Sequence, residues 1–132
     1  MREAFRDVPV IIGGIEASLR RFAHYDYWSD TVRRSLLVDS KADVLIYGMG
    51  EKQILELAKA LDENRLIEQL PTIKGICYMS KTLPEGKIKE CPSYEIVKED
   101  KKQFAEAFRI QYYEQDPFIG KTDGSASLGP VM

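Results

Sequence analysis

Three short apolar runs constrain this chain more than anything else in it. Val8–Ile12 reads VPVII, Asp43–Gly48 reads DVLIYG and Ile73–Met79 reads IKGICYM. Each is continuous rather than alternating, which suits a strand covered on both faces, as in a parallel sheet. The first two stop at glycines, Gly13-Gly14 and Gly48-Met49-Gly50. A buried strand that ends in a glycine corner and runs on into a helix is the repeating unit of α/β folds.

The segments between the strands carry helix patterns. Ile54, Leu57, Ala58 and Leu61 recur at three- and four-residue steps, the stripe of an amphipathic helix. Arg65–Leu70 reads as a shorter helical piece ahead of Pro71. Ile15, Leu19 and Phe22 share one face of a helix opening after Gly14, and Ser29 reads as the N-cap of another helix, with Val32 and Leu36 inward. From Ser93 the pattern is helical again, with Val97, Phe104 and Phe108 on one face, until Pro117. Ile88 begins a short return strand. The order strand, helix, strand, helix, strand predicts an α/β, flavodoxin-like or Rossmann-like three-layer fold with a partial parallel sheet. The three strands make a thin sheet, so the domain looks cut at its start, with an open edge that a second copy could cover. Residues 1–118 form the expected domain and 119–132, rich in Gly and Ser, a flexible tail.

Charge narrows the partners. Nineteen Lys and Arg nearly balance twenty-one Asp and Glu, so no global field favours nucleic acid or an acidic membrane. No apolar run approaches the roughly 20 residues needed to cross a bilayer, which gives a cytoplasmic expectation. The two cysteines, Cys77 and Cys91, have no metal-ligand spacing. Cys77 lies inside a strand pattern and reads as a core residue, and Cys91, before Pro92, as an exposed loop residue.

The candidate binding residues sit at the glycine corners. Gly13, Gly14, Gly48 and Gly50 lie where open α/β sheets receive ligands, at the carboxyl ends of strands, and Glu51 follows them. Tight strand-to-helix turning is the commoner reason for glycine at such corners and the first explanation of both. Neither corner matches the dinucleotide or P-loop pattern. A second group, Arg20, Arg21, His24, Tyr25 and Trp28, joins arginines to an aromatic cluster too apolar for an ordinary loop, and suits contact with another domain. His24 is the only histidine, so no multi-histidine metal site can form, and no serine sits in a nucleophile elbow.

The run IIGGIEASLRRFAHYDYWSDTVRRSLLVDSKADVLIYGMGE, Ile11–Glu51, resembles the amino-terminal region of YgiQ-type radical S-adenosylmethionine (radical SAM) proteins. IKGICYMSK and CPSYEIVKEDKKQFAEAFRIQYYEQDP continue the likeness to Pro117. The resemblance implies a larger iron–sulfur enzyme, whose 4Fe–4S cluster on a CxxxCxxC motif reduces S-adenosylmethionine to a radical. This chain has no such motif, so cluster and S-adenosylmethionine belong to the parent, and no cofactor and no catalytic residue are expected here. The implied role is an accessory domain that packs on the radical SAM core of the same polypeptide and is inactive alone. The glycine corners are also similar to those of cobalamin-binding domains that precede such cores. Their DxHxxG motif has no counterpart, since His24 is followed by YDYW. The alternative is therefore a cofactor- or nucleotide-binding module that uses Gly13, Gly14, Gly48, Gly50 and Glu51.

Overall fold

The computed structural model describes residues 3–67, 73–82, 89–116, 118 and 126–128. The chain divides into two units, one built from residues 1–22 and 35–82, the other from 23–34 and 83–132.

The first unit is the three-layer α/β piece. Its sheet has the order β1 (Ile11–Ile12), β4 (Val44–Ile46), β5 (Ile76–Tyr78). β1 and β4 are parallel, with Ile11 opposite Val44 and Ile12 opposite Leu45. The Asp43 carboxylate fixes that register by accepting a hydrogen bond from the Val10 amide at 2.7 Å, while the Asp43 amide donates to the Val10 carbonyl at 2.9 Å.

The central strand explains the continuous apolar run. Val44 and Ile46 point to one face and pack with Leu57, Ala60 and Ile73. Leu45 points to the other and packs with Ala17, Leu37 and Ala42. Leu57 and Ala60 come from α3 (Glu51–Asp62), Ala17 from α1 (Ile15–Leu19) and Leu37 from α2 (Leu36–Asp39). Val44, Leu45 and Leu57 are essentially inaccessible to solvent, and burying each such side chain stabilises the fold by about 1.5–3 kcal/mol. α3 ends at Asp62, and Asn64 just beyond it turns the chain with a left-handed backbone at φ 56. Arg65 donates to the Ala60 carbonyl and Asn64 to that of Leu61, both at 3.0 Å, which completes a Schellman end.

Several expectations change here. The third strand is antiparallel to the second, with Leu45 opposite Cys77. An apolar run specifies burial but not direction. After α3 the chain returns to the carboxyl end of β4, where the Tyr47 amide donates to the Gly75 carbonyl at 3.0 Å, and β5 enters from that end. On α1 it is Ala17 that is buried, while Ile15 and Leu19 are exposed. On α3 the inward pair is Leu57 and Ala60, with Ile54 and Ala58 exposed. Of the helical piece expected over Arg65–Leu70, residues 68–70 lie outside the described residues, and Arg65 and Leu66 are not helical.

The second unit begins with a hairpin, β2 (His24–Asp26) and β3 (Thr31–Arg33), paired antiparallel with Tyr25 opposite Val32. This replaces the helix expected after Ser29. The cap lies six residues later: the Ser35 side chain, in the first unit, accepts from the Leu37 amide and starts α2. The hairpin packs against α4 (Tyr94–Glu99), and the Tyr94 hydroxyl donates to the Val32 carbonyl at 3.2 Å. α4 and α5 (Lys101–Gln115) are separated at Asp100, whose side chain caps α5 by accepting from the Lys102 amide at 2.8 Å. β6 (Lys89–Cys91) pairs in parallel with β7 (Ala126–Leu128). Ile88 and the remainder of 119–132 lie outside the described residues. Among its described residues, the buried apolar side chains of this unit are Cys91, Val97 and Ala107. Cys91 is thus a core residue rather than an exposed one, and Phe108 faces solvent. Among the described residues no helix is long and apolar enough to cross a membrane.

Candidate functional site

The fold brings the two glycine corners together. Gly13 and Gly14 leave β1, Gly48 and Gly50 leave β4, and because these strands are parallel neighbours both corners open on one edge of the sheet. They line a cleft of about 500 Å³ with Glu51, floored by Ile11, Ile12 and Ile46. That volume lies within the range of small-molecule pockets.

Each glycine has its own reason. Gly14 at φ 96 and Gly48 at φ 72 occupy the left-handed region, which other residues enter only at a cost. Gly50 has ordinary angles, but a Cβ there would lie 2.8 Å from Cγ2 of Ile46. Glu51 opens α3, where its charge suits the positive end of the helix dipole.

Ser18 ties the corners together, and the sequence reading missed it. Its hydroxyl donates to the Gly14 carbonyl at 2.8 Å and accepts from the Gly48 amide at 3.0 Å. Half of this was legible, because a helical serine commonly bonds back to the carbonyl four residues earlier. The other half joins residues 30 apart in sequence and needs the fold.

The second group of candidates is divided between the two units. Arg20 pairs with Glu16 across one helical turn at 2.9 Å. Arg21 donates to the Ser18 carbonyl and lies over the rings of Phe22 and Tyr47, 4.9 Å from each centroid. Both arginines thus make contacts within the first unit. His24, Tyr25 and Trp28 belong to the hairpin of the second unit.

That hairpin is clamped by its own polar groups. Asp26 is buried; its carboxylate accepts from the Ser29 hydroxyl at 2.6 Å and from Arg33 Nε at 2.8 Å. These bonds, with Ser29 the larger influence, hold Asp26 below the usual carboxylate range despite the opposing effect of burial. The Tyr25 hydroxyl donates to Asp30 at 2.6 Å, and this bond raises its pKa. Asp30 itself takes the left-handed turn position at φ 51, a conformation Asp tolerates better than most residues. The result is a braced loop that holds Trp28 81% and Tyr27 68% exposed, their ring centroids 4.8 Å apart.

A small α/β layer with a glycine-lined cleft, followed by a helical unit with outward aromatics, is the class of protein defined so far. The family model described as "Radical SAM N-terminal" matches residues 1–124, and the chain belongs to that family. It is 54% identical over 123 residues to a UPF0313 protein of Clostridium botulinum (strain ATCC 19397 / Type A), and 52% identical over 124 residues to one of Clostridium perfringens (strain SM101 / Type A). Each alignment covers 92% of this chain and 19% of the relative, so the chain spans about a fifth of their length. No solved structure matches.

The residues here do not fit the iron–sulfur cluster implied by the family. Such a cluster takes several cysteine thiolates, and the chain has two cysteines. Burial pushes the Cys77 thiol up to about 11 and raises that of Cys91 as well, so both favour the protonated form. Among the described residues no group of three or more His, Cys, Asp or Glu could hold a metal ion.

Proposed function

We propose that this chain is an accessory domain of a radical SAM iron–sulfur enzyme, and that it packs on the catalytic core of the same polypeptide without doing chemistry itself. The observation that carries this reading is the distribution of apolar side chains in the second unit. Among its described residues, the buried apolar ones are Cys91, Val97 and Ala107, while Tyr25, Tyr27, Trp28, Phe108 and Tyr112 are exposed. Exposed aromatics of this number mark a surface meant to be covered. The relatives carry about four times as much further polypeptide that could cover it. His24, Tyr25 and Trp28 belong to the hairpin that would make this contact, and Arg20 and Arg21, on the first unit, are proposed for it as well. The parent would hold the 4Fe–4S cluster and S-adenosylmethionine on residues outside this chain, and no membrane or nucleic-acid partner is part of the reading.

The test is limited proteolysis of this chain alone and of a chimera in which it replaces the corresponding region of the C. botulinum relative. Slower cleavage of residues 23–34 and 89–116 in the chimera is expected. Equal cleavage in both proteins would overturn the reading.

A second reading rests on the convergence of Gly13, Gly14, Gly48, Gly50 and Glu51 on one cleft. That cleft would hold a cofactor or nucleotide. A thermal-shift series with cobalamins and adenine nucleotides tests it, and no stabilisation by any of them counts against binding.

A further inference from the structure

We infer that the β2–β3 hairpin is a preformed anchor: Trp28, with Tyr27 beside it, enters an apolar pocket on the remaining polypeptide, and Asp26 is the residue that positions it. This rests on the accessory-domain reading and assigns the contact within it.

Three observations carry the inference. Trp28 is the only tryptophan in the chain, and it stands 81% exposed on a loop of four residues. A tryptophan this exposed is costly to solubility, whereas tryptophan is among the residues enriched at interface hot spots. The loop beneath it is rigid for its size, because a single buried carboxylate gathers Ser29 and Arg33, and Ser29 also shares a hydrogen bond with Thr31 at 2.8 Å. A loop braced in this way loses little conformational entropy on docking, which favours affinity. Finally, the hairpin is fastened to its unit by the Tyr94 hydroxyl on the Val32 carbonyl at 3.2 Å, so α4 helps to fix the position of the hairpin.

The occupant is the longer polypeptide itself. The chain covers 19% of its relatives, so most of their length lies outside it. The pocket should be apolar, to accept two aromatic rings, with an acceptor for the indole N–H at its base, since a buried indole N–H needs a partner. Arg33 is spent on Asp26, so the contact does not require an acidic patch opposite it.

Hydroxyl-radical footprinting with peptide mass spectrometry tests this on the 132-residue chain and on the full-length chimera. Met49, 86% exposed in the first unit, serves as the internal reference. Oxidation of Trp28 relative to Met49 is expected to fall several-fold in the chimera. Asp26→Asn in the chimera should restore much of that oxidation while far-UV circular dichroism is unchanged. If Trp28 stays fully reactive in the chimera while Phe108 and Tyr112 become protected, the anchor is wrong and the accessory-domain reading survives. If none of the three is protected, both fall. If Trp28 is protected but Asp26→Asn leaves it so, the positioning role of Asp26 is overturned.

Discussion

Gly50→Ala tests whether the glycine corner after β4 is dictated by packing or by backbone conformation. Gly50 sits at φ −90, ψ 5, which alanine adopts readily, so the backbone raises no objection. The objection is steric: the new methyl would lie 2.8 Å from Cγ2 of Ile46, well inside contact distance. Ile46 is only 6% exposed and belongs to the cluster with Leu57 and Ala60, so it cannot simply swing away. Overpacking of this kind costs about 1–3 kcal/mol. Two smaller effects oppose each other: alanine is a poorer N-cap than glycine, but it restricts the unfolded chain, each effect being on the order of 0.5–1 kcal/mol. The clash therefore dominates. Ile46→Ala removes the obstructing methyl at its own cost of about 2–5 kcal/mol. In that background Gly50→Ala should be close to neutral, within about 0.5 kcal/mol. Urea unfolding followed by circular dichroism, with an unchanged m-value, gives the four stabilities of the cycle. Gly48→Ala is the contrast. At φ 72 with nothing within 4 Å of its would-be Cβ, it should cost about 1–2 kcal/mol whatever stands at position 46. If Gly50→Ala costs the same with isoleucine and with alanine at 46, the steric account of this corner is refuted.

Three further outcomes follow from the same structure. Ser18→Ala removes two hydrogen bonds at a solvent-accessible position, so the stability loss should be small, about 1–2 kcal/mol. Amide exchange at Gly48 should nonetheless accelerate, and an unchanged Gly48 exchange rate would mean the bond between the corners is not formed. Asp26 has a depressed pKa in the folded chain, so its contribution is present above the ordinary aspartate value of about 3.9 and lost as pH falls through its lower folded value. Carboxyl NMR titration should give Asp26 a midpoint below those of exposed aspartates, with hairpin resonances moving in the same step; a normal midpoint would deny the clamp. Cys77, raised to about 11 by burial, should resist alkylation at pH 8 in the native chain and react promptly in urea. Rapid native labelling of Cys77 would show that β5 is not packed as described.

How much of this was readable in advance depended on whether the signal was local. The strand β4 was legible because Val44, Leu45 and Ile46 alternate between two apolar clusters, and only a strand with both faces covered needs three apolar residues in a row. The glycine corners were legible as corners, and their meeting in one cleft followed from β1 and β4 being parallel neighbours. The direction of β5 was not, because ICY reads the same way up or down. The hairpin was misread at Ser29-Asp30, where the two residues serve helix caps and turns alike. The β-branched pair Thr31-Val32 was the available tie-breaker in favour of a strand. The stripe of α1 misled because the helix has only five residues, too few for periodicity to choose a face, and the small Ala17 fits against Leu45 where a larger residue would not.

The uneven quality of the two cores bears on function directly. The first unit buries Val44, Leu45, Ile46, Leu37 and Leu57, enough large side chains to hold its own layers together. Among its described residues, the second buries Cys91, Val97 and Ala107 and leaves Tyr25, Tyr27, Trp28, Phe108 and Tyr112 exposed. Covering Trp28 alone would contribute about 3–5 kcal/mol from apolar area, more than any of those three buried residues supplies. On the accessory-domain proposal, the first unit is the scaffold for a cleft and the second the surface for assembly.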